Sequence, residues 1–301
     1  MTRAVDGTPL SRTEERNPRS AAIDRMPTLD LLRLMNDEDR SVPLAVAGVL
    51  PELAEAVELG VAALSAGRRI RYVGAGTSGR IAVLDAAELI PTFGLAPGRV
   101  IAHLAGGTPA LTRPSEAAED DEAAGRAVVA DAVAGDLVVG VTASGRTPYV
   151  RGALSMARAL GARTVLVSGN PQSPIAVLAD VHVAPDTGPE VITGSTRLKA
   201  GTAQKMVLNA FSTATMVRLG RTYSNLMTDM LASNDKLRDR QLRIVMDATG
   251  AEQESCRAAL AAAGGDAKVA VVTLLGGVGV ERARAELIAA SGQVHFALEN
   301  I

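Results

Sequence analysis

The chain alternates short runs of β-branched and apolar residues with longer helical patterns, and this alternation constrains its fold more than any other feature. Strands are expected in five runs, at residues 70–73, 99–105, 136–141, 163–168 and 180–184. The segments between them are expected to be helices. Strands that alternate with helices favour a parallel, doubly wound α/β sheet, whose ligands bind at the carboxyl ends of the strands.

The segments outside this alternation suggest how the domain is bounded. Residues 1–22 have little apolar content and predict a loose N-terminal arm. Residues 23–239 are expected to form the α/β domain together with N-terminal helices. Within it, a long helix from about Leu198 to Leu219 has an apolar stripe that fits either the core or a subunit contact. Residues 240–301 are Ala-rich, contain glycine breaks and predict a small C-terminal helical module.

Three local patterns lead to more detailed expectations. Residues 28–35 predict a short amphipathic helix, and the charged residues 36–39 predict a solvated turn after it. Residues 115–134 are acidic and Ala-rich, which predicts one helix over the whole segment.

Charge and metal-ligand content restrict the class of partner. The 301 residues have a formal net charge of −2 and no basic block, so neither nucleic acid nor a membrane surface is an expected partner. Cys256 is the single cysteine, so no intrachain disulfide framework is possible. His103, His182 and His295 lack the spacing of a metal site, so no metal is predicted.

Hydrophobic runs give no signal for a membrane or for export. The longest apolar run, residues 269–280, is too short to span a bilayer and contains glycines. No signal-peptide core follows Met1. A cytoplasmic protein is therefore expected.

A turn rich in glycine and hydroxyl groups follows the first predicted strand. Gly74-Ala75-Gly76 ends the strand, and Thr77-Ser78-Gly79 begins a helical pattern. Glycines allow the backbone to approach a ligand, and the N–H groups at the start of a helix favour an anion. The spacing matches neither the dinucleotide nor the nucleoside triphosphate fingerprint. This turn predicts a site for a small phosphorylated ligand, with a glycine turn needed only for packing as the alternative.

A second turn, Thr142-Ala143-Ser144-Gly145-Arg146-Thr147, repeats these features after the third predicted strand. Ser and Thr also favour helix N-caps, so this turn alone could be only a cap. Because the carboxyl ends of parallel strands meet at one edge of a sheet, two such turns are expected to surround one phosphate with neutral donors.

The two turns resemble those of sugar isomerase (SIS) domains, which bind phosphorylated sugars. More narrowly, the chain resembles the N-acetylmuramic acid 6-phosphate etherases in five runs that follow in order with matching spacing, at residues 23–43, 74–94, 116–120, 143–150 and 188–209. The last run is also similar to that of the glucokinase regulatory protein, a non-catalytic relative. One departure is Ala117, where the etherases usually have glycine.

The resemblance implies a lyase that cleaves the D-lactyl ether of N-acetylmuramic acid 6-phosphate, by elimination and then water addition. The products would be N-acetylglucosamine 6-phosphate and D-lactate, as in peptidoglycan recycling. The family's acid maps onto Glu88 and its base onto Glu119. Two carboxyl groups can serve as acid and base when their environments separate their pKa values. Glu88 is expected at the end of an apolar helix, where desolvation would favour its neutral form, whereas Glu119 lies in an acidic run that also fits a solvated helix face.

The resemblance also implies which residues bind the substrate. The phosphate would be held by Ser78, Ser144 and Thr147, with Thr77 and Thr142 as secondary candidates. Glu190 is a candidate acceptor for a sugar hydroxyl. Arg197, Lys199 and Lys205 are left open between contact with the substrate and salt bridges.

The resemblance also bears on the cofactor and on the oligomeric state. The implied mechanism calls for no cofactor, and the family implies a homodimer with the helix after Leu198 as the candidate seam. Two other functions remain open, namely a sugar-phosphate sensor that binds without catalysis and an aldose–ketose isomerase.

Overall fold

The structure is a computed structural model that describes residues 12–232 and 234–301. The chain forms two compact units. Unit 1 comprises Met1–Ala86 and Gly98–Ser212, and unit 2 comprises Ala87–Pro97 and Thr213–Ile301. The chain passes from one unit to the other after residues 86, 97 and 212, the last of these inside the long helix. The division near residue 240 stays a sequence-based prediction.

Unit 1 is built on a five-stranded parallel sheet. Its strands are β1 (Ile70–Gly74), β2 (Val100–Leu104), β3 (Leu137–Thr142), β4 (Arg163–Ser168) and β5 (Val181–Val183), in the order β2-β1-β3-β4-β5. Every strand overlaps a run predicted from the sequence, with β1 and β3 each extending one residue further, and the predicted doubly wound parallel sheet is confirmed. β1 and β3 are buried along their whole lengths, which explains why they are continuous apolar runs rather than alternating patterns.

The register of the sheet brings the two candidate phosphate turns together. β1 pairs with β2 on one side and with β3 on the other, and Gly74 lies opposite both Leu104 and Val141. Strand order reverses between β1 and β3, so this is the topological switch point, where open α/β sheets bind ligands outside the carboxyl ends of their strands. The two candidate turns follow β1 and β3, and they therefore flank this crevice.

Seven helices accompany the sheet in the chain. They are α1 (Thr28–Asp39), α2 (Ser41–Ala47), α3 (Leu50–Ser65), α4 (Gly76–Phe93), α5 (Glu122–Ala127), α6 (Pro148–Ala159) and α7 (Lys199–Arg218). The long helix expected after Leu198 is α7. Part of its apolar stripe is core, because Ala203, Val207 and Phe211 are buried, whereas Ala210 and Val217 are exposed.

The prediction of a solvated turn at residues 36–39 is wrong, because this segment is the last turn of α1. α1 continues to Asp39, and Glu38 in its last turn is only 7 % exposed. The buried ammonium of Lys199 lies 2.7 Å from the Glu38 carboxylate, so a cation distant in the chain takes the place of solvent. Such a partner is invisible in a local charge pattern.

The predicted N-terminal arm is only partly described. Residues 1–11 lie outside the described residues, whereas residues 12–22 contain short 3-10 turns with buried polar side chains. Asn17 Nδ2 donates to Glu38 Oε2 over 2.8 Å, and Ser20 Oγ donates to the carbonyl of Val191 over 2.7 Å. This part of the arm is therefore held in place and is not loose. Its contacts are hydrogen bonds, which an apolar pattern does not reveal.

The segment expected to be one helix at residues 115–134 is shorter and divided. A 3-10 helix covers Glu116–Asp120, and α5 begins at Glu122 after Asp121 caps it by accepting from the N–H of Ala124 over 2.8 Å. α5 lies against α6 with their backbones close, since a Cβ on Gly152 would collide with the carbonyl oxygen of Glu122. Tertiary packing thus overrides the helix propensity of this Ala-rich stretch.

Unit 2 consists mainly of short helices, as the sequence predicted, and two of them end at glycines. They are α8 (Asp235–Thr249), α9 (Gln253–Ala262), α10 (Ala267–Gly276), α11 (Val280–Ala289) and α12 (Val294–Glu299). Gly250 and Gly277 end α8 and α10 in the left-handed conformation that glycine favours.

Over residues 12–232 and 234–301, no single helix is long and apolar enough to span a membrane. α9 and α10 reach the length and composition of a span only together, as a pair bent by 119°. Apolar residues of both helices lie in the buried core of unit 2.

Candidate active site

The first candidate turn joins β1 directly to α4. The glycines at its two ends allow close packing, because a Cβ on Gly74 would lie 2.9 Å from Gly79 N and 3.1 Å from the carbonyl oxygen of Val141. Gly76 begins α4 with a φ of +53°, and a Cβ there would meet nothing within 4 Å. The packing role that the sequence left as an alternative is therefore real for Gly74, while Gly76 faces open space.

The predicted hydroxyl residues of this turn lie at the start of α4. Ser78 is 6 % exposed and Thr77 is half-buried. The N–H of Gly79 is the first in the helix to donate back to the chain, to Ala75 O over 3.2 Å. The N–H groups before it are the unsatisfied donors that every helix start presents, and they suit an anion.

The second turn brings three predicted hydroxyl groups into one cluster. Thr142 Oγ1 lies 2.7 Å from Thr147 Oγ1 and 3.4 Å from Ser144 Oγ. Ser144 Oγ also accepts from the N–H of Arg146 over 3.2 Å. Thr147 occupies the N-cap position of α6, but its side chain makes no capping hydrogen bond. The Thr147 hydroxyl therefore bonds within the turn and does not cap α6.

Glu119 lies on the 3-10 helix Glu116–Asp120 and is exposed. The segment before it is anchored to α4 by Arg80, whose guanidinium donates to Leu111 O over 3.1 Å and to Arg113 O over 3.2 Å. Arg80 directly follows the first candidate turn in sequence. The chain around Leu111 and Arg113, which precedes the predicted base, is thus anchored beside the first candidate turn.

Glu88 differs from the expectation of a desolvated carboxyl at a helix end. α4 continues past it to Phe93 with Pro91 inside the helix, and the Glu88 side chain is exposed. The neighbouring Leu89 is 3 % exposed. Because successive residues of a helix point about 100° apart, Leu89 takes the buried face and Glu88 faces outward.

A buried carboxylate that the sequence did not single out lies one turn earlier on the same helix. Asp85 is 7 % exposed and accepts hydrogen bonds from Tyr72 Oη over 2.9 Å and from Ser212 Oγ over 3.0 Å. Burial raises the pKa of Asp85 to about 6, although both hydroxyls and the charge of Lys205 oppose the shift. The sequence signal that could have identified Asp85 is a carboxylate on the apolar face of a predicted helix.

The side chains of Glu190 and Lys199 are buried and make their polar contacts within the protein. Glu190 is fully buried, and its two carboxylate oxygens accept from the N–H groups of Lys199 over 3.0 Å and Ala200 over 2.9 Å. It therefore caps α7, and burial raises its pKa. The sequence predicted that Glu190 accepts from a sugar hydroxyl, but its buried carboxylate oxygens already accept from these two backbone N–H groups. Lys199, left open by the sequence, forms the buried ion pair with Glu38.

No group of three or more His, Cys, Asp or Glu side chains in the described parts of the chain could hold a metal ion.

Comparison with protein families and solved structures agrees with this architecture. The glucokinase regulatory protein N-terminal SIS domain matches residues 52–158, and the SIS domain matches residues 110–214. A phosphoheptose isomerase from Francisella tularensis is similar in structure, with a TM-score of 0.52 at 18 % identity, covering 64 % of this chain and 100 % of that chain. A phosphoheptose isomerase from Neisseria gonorrhoeae has a TM-score of 0.50 at 20 % identity, covering 63 % and 98 %. These two likenesses show the fold.

Curated relatives match almost the whole chain. The protein from Thermobifida fusca is 59 % identical over 263 residues, which are 87 % of this chain and 86 % of the relative. The protein from Pectobacterium atrosepticum is 52 % identical over 288 residues, and that from Rubrobacter xylanophilus is 54 % identical over 288 residues, in each case 95 % of both chains. All three are named N-acetylmuramic acid 6-phosphate etherase. By this identity over nearly its full length, the chain belongs to the N-acetylmuramic acid 6-phosphate etherase family.

Proposed function

We propose that this protein is a carbon–oxygen lyase that cleaves the D-lactyl ether of N-acetylmuramic acid 6-phosphate to N-acetylglucosamine 6-phosphate and D-lactate. The observation on which this rests is the 52 % identity, over 95 % of both chains, with a relative named for that activity. The adjacent turns at the switch point support it, because they offer the neutral donors that a sugar phosphate requires.

The substrate phosphate is proposed to lie in the crevice between the turns after β1 and β3. Ser78, Ser144 and Thr147 would donate to it, with Thr77 and Thr142 beside them. The first N–H groups of α4 and α6 would add backbone donors, and the positive ends of both helices favour a dianion. Glu190 has an indirect part in this proposal, since it orders the start of α7.

The chemistry begins from the open-chain aldehyde of the sugar. The hydrogen on C2 is acidic because the neighbouring C1 carbonyl stabilises the resulting carbanion. Glu119 takes this proton, the electron pair forms the C2=C3 double bond, and the C3–O bond to the lactyl group breaks. Glu88 gives its proton to the departing oxygen, so D-lactate leaves as an alcohol.

Addition of water then completes the reaction with the roles reversed. Glu88, now a carboxylate, takes a proton from water as the oxygen adds to C3, and Glu119 returns its proton to C2. Both side chains are exposed in the free chain. As the acid, Glu88 has to carry a proton when the substrate binds. The scheme calls for no cofactor.

The place of this reaction and the assembly of the protein follow from the family. The reaction belongs to the recycling of peptidoglycan amino sugars, and the proposed location is the cytoplasm. A homodimer is proposed as well, and the molar mass in solution, measured by light scattering, tests it.

A sensor that binds without catalysis is not favoured. The most similar curated relatives reported above are named as etherases, and both glutamates of the family motif are present as Glu88 and Glu119. The glucokinase regulatory protein match covers residues 52–158, a smaller part of the chain.

Incubation of the purified protein with N-acetylmuramic acid 6-phosphate, followed by an enzymatic assay for D-lactate, tests the proposal. We expect stoichiometric release of D-lactate, with ¹⁸O from labelled water at C3 of the sugar and none in lactate. Binding without release would identify a sensor, and a ketose product would identify an isomerase. Label in lactate would mean attack at the lactyl carbon, and the elimination scheme would be wrong.

A further inference from the structure

The loop that follows β4, residues 169–175, is hydrogen-bonded to the second phosphate turn at three consecutive carbonyls. The N–H of Gly169 donates to Ala143 O over 3.0 Å. Asn170 Nδ2 donates to Ser144 O over 3.0 Å. Ser173 Oγ donates to Gly145 O over 2.6 Å. The carbonyls of Ala143, Ser144 and Gly145 therefore point towards the loop.

These contacts determine where the N–H groups of the turn point. In a trans peptide the N–H is directed opposite to the C=O of the same plane, so the N–H groups of Ser144, Gly145 and Arg146 are directed away from the loop. The Arg146 N–H donates to Ser144 Oγ, so the N–H groups of Ser144 and Gly145 are the donors that the turn offers to a ligand. Gly145 has a φ of +68°, a conformation in which successive N–H groups can converge on an anion. A Cβ on Gly145 would lie 2.7 Å from Ser173 Cβ, so the position requires glycine.

The amide of Asn170 has one orientation. Its Oδ1 accepts from the N–H of Gln172 over 3.0 Å, which leaves Nδ2 to face the carbonyl of Ser144. If the amide of Asn170 were turned over, its Oδ1 would face the carbonyl oxygen of Ser144, and two acceptors would lie against each other. Asn170 is therefore a specific donor to the turn.

A further chain of hydrogen bonds connects this loop to β5. Ser168 Oγ lies 2.8 Å from His182 Nε2, 3.0 Å from Asn170 O and 3.3 Å from Asn170 N. A serine hydroxyl has one proton, so Ser168 satisfies all three contacts only by donating to Asn170 O and accepting from the other two. Burial lowers the pKa of His182 and keeps the imidazole neutral, with Nε2 as the donor.

We propose that Asn170 and Ser173 are positioning residues for the substrate phosphate, which hold the second turn so that its N–H groups face the ligand. The two side chains are 7 % and 6 % exposed and act through the turn rather than on the ligand. This inference rests on the proposed function, because it takes the occupant of the turn to be a sugar phosphate.

The test compares the wild type with Asn170→Asp and Ser173→Ala. The first change keeps the size and the acceptor and removes the donor, and the second removes one oxygen atom. Gln172→Ala is the matched control, because this exposed side chain lies in the same loop. The measurements are the dissociation constant of N-acetylglucosamine 6-phosphate by calorimetry, the inhibition constant of inorganic phosphate in the D-lactate assay, kcat, KM and Tm.

We expect each variant to weaken both phosphate probes about tenfold and to raise KM similarly, the effect of losing one hydrogen bond at a charged ligand. The control should match the wild type. A general structural role would lower Tm and kcat together while leaving the inhibition constant of phosphate unchanged, and that result would overturn the inference.

The remaining outcomes separate this inference from the proposed function. If the wild type binds the sugar phosphate and both variants bind it equally well, the positioning role is wrong and the proposed function stands. If the wild type binds neither probe, the proposed function fails and this inference fails with it. If Asn170→Asp does not fold, Ser173→Ala alone decides the matter.

Discussion

The side-chain oxygens of Thr142 and Thr147 lie 2.7 Å apart, one at the end of β3 and the other at the N-cap of α6. Thr147 thus bonds to another hydroxyl and does not cap α6. Because Pro148 has no N–H, the first N–H groups of α6 are those of Tyr149 and Val150, and the Thr147 side chain leaves them to other acceptors, which is what a phosphate site requires.

Changing Ser144 to Ala should weaken binding of the phosphorylated sugar by about 1.5–3 kcal/mol, the value of one hydrogen bond to a charged group. Calorimetry with N-acetylglucosamine 6-phosphate measures this loss. Unphosphorylated N-acetylglucosamine is the control ligand, and its weak binding should not change. Equal affinity of wild type and variant for the phosphate would show that this turn has only a structural role.

Replacing Glu119 by Gln should abolish both exchange of the C2 hydrogen and release of lactate, because the base is lost. In heavy water, deuterium uptake at C2 reports proton removal independently of ether cleavage. Mass spectrometry of recovered substrate measures the exchange, and the D-lactate assay measures cleavage.

Replacing Glu88 by Gln should slow lactate release by a factor of about 10²–10⁴, the usual contribution of a general acid. The base remains in this variant, so C2 exchange in recovered substrate should persist if the carbanion is reprotonated before lactate leaves. Exchange that is lost in Glu88→Gln and retained in Glu119→Gln would reverse the two roles.

Asp85 should make the stability of the protein depend on pH. Its pKa is about 6 in the folded chain against an ordinary 3.8, so the folded state binds the proton more tightly. The resulting stabilisation is complete below pH 3.8 and is lost as the pH rises through 6, by about 3 kcal/mol in total.

Asp85→Asn removes this dependence, so the variant should gain stability relative to the wild type between about pH 4.5 and 7.5, a range that spans the folded-state pKa of about 6. Urea unfolding at several pH values measures the difference. Asp24→Asn, a change at an exposed carboxyl, controls for the loss of one charge. A constant difference between Asp85→Asn and wild type across this range would contradict the expectation.

The buried pair of Glu38 and Lys199 should show strong coupling in a double-mutant cycle. Glu38→Leu leaves the ammonium of Lys199, 3 % exposed, without its ion-pair partner and should cost about 3–5 kcal/mol. Lys199→Met should cost less, because Glu38 keeps hydrogen bonds from Asn17 and Arg19. The double variant should be more stable than the sum of the single losses predicts. Additive losses in denaturant unfolding would mean that the ion pair contributes nothing.

Exhaustive chelation should leave the rate of D-lactate release unchanged, since the proposed acid–base scheme needs no metal. The assay is repeated after EDTA treatment and dialysis, with an untreated sample as the control. Activity that disappears and returns with one divalent ion would overturn the scheme.

Local sequence pattern was sufficient for the order and type of the main elements. The run around Tyr72 and Val73 is a strand because β-branched and aromatic side chains suit a buried sheet, and Gly76 with Thr77 predicted the turn into α4. The resemblance to the etherases also came from the sequence, through Glu88, Glu119 and the two hydroxyl turns. These features depend on residues close together in the chain.

The tertiary structure decided which distant groups meet. It placed β1 beside β3, and so set the two turns at one crevice, and it buried Glu38 against Lys199, 161 residues away. It also used Glu190 as the cap of α7 and tied the second turn to Asn170, which no local pattern indicated. The physical reason is that a buried polar group must find a partner wherever the fold provides one. Such a pairing is a property of the packed chain and leaves no periodic signal in the sequence.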